Sequence, residues 1–146
     1  FGDFFANRLM YTFSSGTTHS VQHAMAALME AACFGKYNFI DDVREYGRRA
    51  QFMKNVLLDN GFYLVYDNDM GAPLADGFYL TVHYPGLTDL ELTRRLMYSG
   101  IAVYPLDTMG SLQQGVRICT SFFADDQHEL FAHRIAAFHK DLTAKN

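Results

Sequence analysis

An α+β fold, a small, mainly antiparallel sheet with helices packed on one face, is predicted by three features of the sequence. The 146 residues are 49% hydrophobic and 15% aromatic, enough for one domain with its own core and too apolar for a disordered chain. Apolar periodicity gives the order helix, helix, strand, strand, helix, strand, strand, helix, without the strict alternation of a parallel sheet. Glycine and proline at Gly35, Gly61, Pro85-Gly86, Gly100 and Pro105 punctuate these segments. Residues 1–146 read as a single domain, with 1–40 as a connecting segment and helix.

The elements follow in chain order. Phe1 to Phe13 is apolar and aromatic and ends at the turn signal Ser14-Ser15-Gly16, so it reads as the tail of an element that began upstream. Thr18 or Ser20 can cap a helix whose apolar positions Val21, Ala24, Met25, Leu28 and Ala32 keep helical spacing and stop at Gly35. A second helix starts after Asp41 or Asp42, carries Val43, Tyr46, Ala50, Met53 and Leu57 as one stripe, and ends at Asn60-Gly61. Phe62 to Tyr66 is a strand, and the loop Asp67 to Gly77 returns the chain to a second strand, Phe78 to Tyr84. Thr88-Asp89-Leu90-Glu91 forms a capping box for a helix that buries Leu92, Leu96 and Met97 and is closed by Gly100. Ile101 to Tyr104 is a strand stopped by Pro105, and Val116 to Phe122 is another. Asp126 and Glu129 cap a last helix with the stripe Phe131, Ile135, Phe138 and Leu142.

Several function classes are excluded or left without support. A net charge of −4 offers no basic field for nucleic acid. No run of about 18 apolar residues is present to span a membrane, and the N-terminus has no signal-peptide pattern. A cytoplasmic location is the default expectation. Cys33 and Cys119 lack a CxxC partner and sit in apolar stretches, which predicts buried reduced thiols.

One charged residue interrupts an apolar strand. In Gly115-Val116-Arg117-Ile118-Cys119-Thr120-Ser121, alternation puts Val116, Ile118 and Thr120 on one face and Arg117, Cys119 and Ser121 on the other. A guanidinium keeps its charge and presents a rigid fork that fits a carboxylate through two bonds. Small neighbours on the same face leave room for an anion in front of it. A pairing with one of the chain's own acids, or a place at a solvated sheet edge, would equally account for it.

The other candidates have plainer explanations. His19 and His23 are spaced for one helix face, but zinc needs a third ligand and no HExxH motif accompanies them, so no metal site is expected. His128, His133 and His139 read as helix-surface residues. The hydroxyls from Ser14 to Thr18 precede a helix N-terminus, where they can hold an anion or merely cap the helix. No GxSxG elbow or GxxxxGK[ST] loop occurs, and Lys36, Lys54, Lys140 and Lys145 all sit at helix ends or in polar contexts. No complete catalytic set is present.

Taken in order, these pieces resemble the C-terminal part of a class I/II, fold-type I, pyridoxal-phosphate-dependent aminotransferase. Residues Ser14 to Ala24 resemble that family's Ser/Thr-rich lead-in to a helix with a Gln and small residues. Asp76-Gly77-Phe78-Tyr79-Leu80 resembles its Gly-Gly-Phe-Phe strand, and Leu96 to Tyr104 its leucine-rich helix, Gly and Val-x-Val-x-Pro passage. Gly115-Val116-Arg117-Ile118 resembles its Gly-x-Val/Ile-Arg strand. Residues Pro105 to Ser111 depart from the family's Pro-Gly and Ser or Phe-Gly pattern.

The resemblance implies a transferase of nitrogenous groups acting in amino-acid metabolism on amino-acid and 2-oxo-acid substrates. Arg117 takes the role of binding the substrate α-carboxylate. Phe13, Ser14, Ser15 and Thr17 resemble a segment that reaches the active site of a dimer partner, which implies a homodimer. The Schiff-base lysine, the ring aspartate and the ring-stacking aromatic belong to the family's large domain, upstream of Phe1. The resemblance therefore implies a C-terminal fragment with no catalytic or cofactor-binding residue of its own and inactive in isolation, whose full-length parent carries pyridoxal 5′-phosphate. The competing reading is a stand-alone ferredoxin-like domain that binds or senses a small carboxylate without catalysis.

Overall fold

The computed structural model describes residues 2–14, 18–74 and 77–144, without the side chains of Ala6, Asn7 and Ser14. The chain falls into two compact units, Phe1–Asp42 and Val43–Asn146.

The first unit is helical. Helix α1 (Gly2–Phe4), a π-helical run Phe5–Met10 and α2 (Tyr11–Ser14) precede α3 (His19–Cys33). Thr18 stands at the α3 N-cap in extended conformation, but its hydroxyl makes no capping bond; its carbonyl accepts from Gln22 N–H at 3.2 Å. Gly35 follows the helix with φ +69°, the left-handed stop expected there. The apolar stripe of α3 is not covered: Val21, Met25 and Leu28 are all exposed and the helix buries none of its residues. Cys33 is exposed for the same reason, against the expectation of a buried thiol.

Helix α4 (Phe39–Asp59) begins two residues ahead of Asp41 because Asn38 supplies the stop, its side-chain oxygen accepting from Ile40 N–H at 3.2 Å. Asp41 and Asp42 then fall in the first turn, where carboxylates oppose the helix dipole. Ala50, Met53 and Leu57 are its buried positions, while Val43 is exposed.

The second unit packs three helices on one face of an antiparallel sheet. Strands β1 (Tyr63–Leu64), β4 (Tyr79–His83), β5 (Tyr104–Pro105) and β6 (Val116–Cys119) lie in the order β1-β4-β6-β5. Leu80, Val82, Val116 and Ile118 meet Met53 and Leu57 of α4, Leu92 and Leu96 of α5 (Asp89–Tyr98), and Phe131, Ile135 and Phe138 of α6 (His128–Thr143) in one core. Each such side chain contributes about 1.5–3 kcal/mol by leaving water.

Several boundaries differ from those expected. The loop 67–77 contains a small hairpin, β2 (Asn68–Asp69) paired with β3 (Ala72–Pro73), turned by Met70 and Gly71 at φ 49° and 83°. Such a pair of positive φ values suits the twist of a two-residue hairpin. Residues 101–103 are not paired as a strand; only Tyr104 and Pro105 join the sheet, and Pro105 is tolerated because β5 is an edge. Phe78 lies outside β4, exposed against the Tyr46 ring, and Met97 is exposed on α5. The Thr88–Glu91 capping box forms as expected. At the last helix the acids do not cap each other: a turn of 3-10 helix, Asp125–Gln127, intervenes, and the Gln127 side chain accepts from Ala124 N–H at 3.4 Å.

Candidate functional site

Arg117 stands in the middle of the sheet face that carries no helix. Cross-strand register sets it between Thr81 of β4 and Tyr104 of β5. Its guanidinium carbon lies 4.3 Å from the centre of the Tyr79 ring and 5.5 Å from that of Tyr104, so two ring faces flank the cation. The side chain is half-buried, and its Nε is shut off from solvent without a hydrogen-bond partner. Among the described residues no acid forms an ion pair with it. The acids that do pair with arginine lie elsewhere. Glu45 binds Arg48 and Arg49, and Asp125 binds Arg48. Hydrogen bonds from Arg48 and Arg49 hold the Glu45 carboxyl down at about 2.

The strand is placed by two residues whose roles spacing does not reveal. Gly115 has φ +151°, and a Cβ there would lie 2.7 Å from Val65 Cγ2 and 2.8 Å from the Val82 carbonyl oxygen. Only glycine lets β6 begin so close to β4. Asp89, the first residue of α5, is 3% exposed. Its carboxylate accepts from the Gly115 N–H and from the Asp107 N–H (3.1 Å), while its own N–H donates to Gln114 Oε1 (3.1 Å). One carboxylate thus pins both ends of the loop 107–115 that leads into Arg117.

The neighbours on the open face are polar. Cys119, two residues along, is exposed rather than buried, because it shares the Arg117 face and not the core face. Burial raises the Cys119 thiol, but the Ser121 hydroxyl at 3.4 Å, the Phe122 and Ser121 N–H groups and the Arg117 charge outweigh it, and the net shift is downward. At the other end of the face His83 is 6% exposed, packs edge-on against Tyr63 and has an unpartnered Nδ1. Burial lowers its pKa, partly offset by the nearby Asp89 charge. Arrayed this way, the face presents the Arg117 guanidinium between two aromatic rings, with no acid paired to it among the described residues.

The fold has a counterpart among solved structures. The chain is similar to the crystal structure of the aspartate aminotransferase from Rhizobium meliloti, with a TM-score of 0.56 and 20% sequence identity over 70% of this chain. The likeness is one of fold. It covers 27% of that chain, so the present sequence matches about a quarter of the longer protein. No protein-family model matches the sequence, and no curated protein does.

The remaining candidates are placed less tellingly. Phe13 is 84% exposed in α2, and Ser14 ends that helix. Ser15 and Thr17 lie outside the described residues. His19 and His23 are exposed on α3, and no group of three potential metal ligands occurs among the described residues. Of the last-helix histidines only His133 is exposed: His128 stacks on Phe52 at 4.1 Å, and His139 Nδ1 shares a 2.9 Å hydrogen bond with the Tyr84 hydroxyl. No described helix is long and apolar enough to cross a membrane.

Proposed function

We propose that this chain is the C-terminal portion of a pyridoxal-phosphate-dependent aminotransferase, in which Arg117 binds the α-carboxylate of the amino-acid or 2-oxo-acid substrate. The observation that carries the reading is an arginine with no acidic partner among the described residues, on the helix-free face of a sheet whose fold is similar to part of an aspartate aminotransferase. In this role the guanidinium takes the carboxylate through paired hydrogen bonds and fixes the direction in which the rest of the substrate points. The rings of Tyr79 and Tyr104 limit its swing, and Asp89 and Gly115 hold its strand in place.

The described residues do not by themselves fit the cofactor. Lys36 is exposed in the turn after α3 and Lys140 is exposed on α6, and Lys54 is already engaged with another group. The imine-forming lysine and the phosphate site belong, in this reading, to residues upstream of Phe1. A homodimer is part of the same reading.

Two experiments test it. The upstream reading frame should carry a Ser-x-x-Lys type motif, and the full-length protein should show the cofactor's visible absorbance and lose amino-acid binding on Arg117→Ala. A full-length protein without that absorbance, but with Arg117-dependent carboxylate binding, would instead support a non-catalytic carboxylate-binding domain.

A further inference from the structure

A cavity lies where the sheet opens. The ladder between β5 and β6 closes at Tyr104–Arg117 and Pro105–Val116, while residues 101–103 ahead of it are unpaired. Between that run and β6 lies a cavity of about 320 Å³, within the size range of small-molecule sites, about 300–1,000 Å³. Its inner wall is core: Met53, Ile101, Ile118 and Phe131 are all buried. Its rim keeps apolar side chains in water, Phe122 at 92% exposure and Leu130 at 50%. Gly100 and Ala102 leave the space unfilled, and a Cβ on Gly100 would lie 2.9 Å from Arg134 Cζ.

Arg134 is the one charged side chain in the lining. Its Nη1 donates to the Gly100 carbonyl at 2.8 Å, and it makes no other hydrogen bond and no ion pair among the described residues. Capping that carbonyl uses one donor of five. Beside it, Gln127 has its side-chain oxygen engaged with Ala124 N–H, which leaves its amide NH2 as a second donor. An apolar cavity with an uncompensated cation at its edge is complementary to an amphipathic anion.

We infer that this cavity binds a small carboxylate with a flat apolar body, its ring against Ile118 and Phe131 and its carboxylate on Arg134. The site is separate from the Arg117 role and does not depend on it. Arg117 does not line it.

Calorimetric titration of the full-length protein with 4-phenylbutanoate tests the inference, carried out in an Arg117→Ala background so that the open face does not contribute. Binding should persist in that background. Arg134→Gln should weaken it about tenfold or more, as expected for losing a charged hydrogen-bond partner. Ala102→Phe, at an exposed position, should abolish it by filling the cavity without removing Arg134's hydrogen bond to the Gly100 carbonyl. No binding in the Arg117→Ala background, or equal affinity in the Ala102→Phe and Arg134→Gln variants and their parent, would overturn the inference.

Discussion

Arg117 is half-buried, so its environment must supply to the guanidinium part of what water no longer does. The Tyr79 and Tyr104 ring faces supply part, each worth about 0.5–1 kcal/mol at a partly exposed site. Replacing either tyrosine by alanine should therefore weaken carboxylate binding by roughly two- to fivefold, read by titration of the full-length protein, while leaving the fold intact because both side chains are exposed. His83 makes the opposite kind of prediction. Its pKa is lowered below the ordinary 6.5 by burial, so the unfolded chain takes up the proton first as pH falls. Stability from this group is complete above pH 6.5 and declines below it. Urea unfolding across that range should show the decline in the parent, and His83→Gln should lose this part of the pH dependence.

At the scale of the element, the decisive structure is the start of β6 and not the strand alone. Gly115→Ala forces a Cβ onto the Val82 carbonyl and Val65, which should cost about 1–3 kcal/mol, the range for overpacking a filled site. Asp89→Ala leaves the Gly115 and Asp107 N–H groups without their acceptor, and each buried orphan costs about 1–3 kcal/mol. Both should appear as lowered urea midpoints, and Asp89→Asn should fall between parent and alanine because its amide oxygen can still accept one of the two bonds. The sequence makes the helices and their stops legible: the Thr88–Glu91 capping box and the glycines after α3, α4 and α5 are local chemistry. Asp89's second role is not local, since its partners arrive 18 and 26 positions later. The hairpin 68–73 was hidden for a different reason. Asn, Asp, Ala and Pro are poor strand formers, and only the positive φ of Met70 and Gly71 brings them together.

For the molecule as a whole, alternation along β4 and β6 separated a core face from an open face correctly, and the exposed Cys119 follows from that alternation better than from the apolar look of its neighbours. At α3 periodicity placed the helix and its stop, but the stripe, which has the spacing of a buried face, holds no buried residue. A pattern records what a helix needs to cover, not what is present to cover it. The buried hydrophobic core runs from Ala50 to Phe138, entirely within the unit 43–146. A fragment of residues 38–146, which retains the Asn38 cap, should therefore unfold cooperatively in urea, and a gradual, non-cooperative loss of structure would show that the core needs the preceding residues.

In the proposed function Arg117 is aimed at a substrate's acid group. If the proposed function holds, the affinity of the full-length protein for an amino-acid substrate, followed through the visible absorbance of pyridoxal 5′-phosphate before and after Arg117→Ala, tests it most sharply. Loss of the fork should weaken binding by about 2 kcal/mol or more, roughly thirtyfold. An affinity unchanged by the substitution would contradict the claim and remove Arg117 from the site.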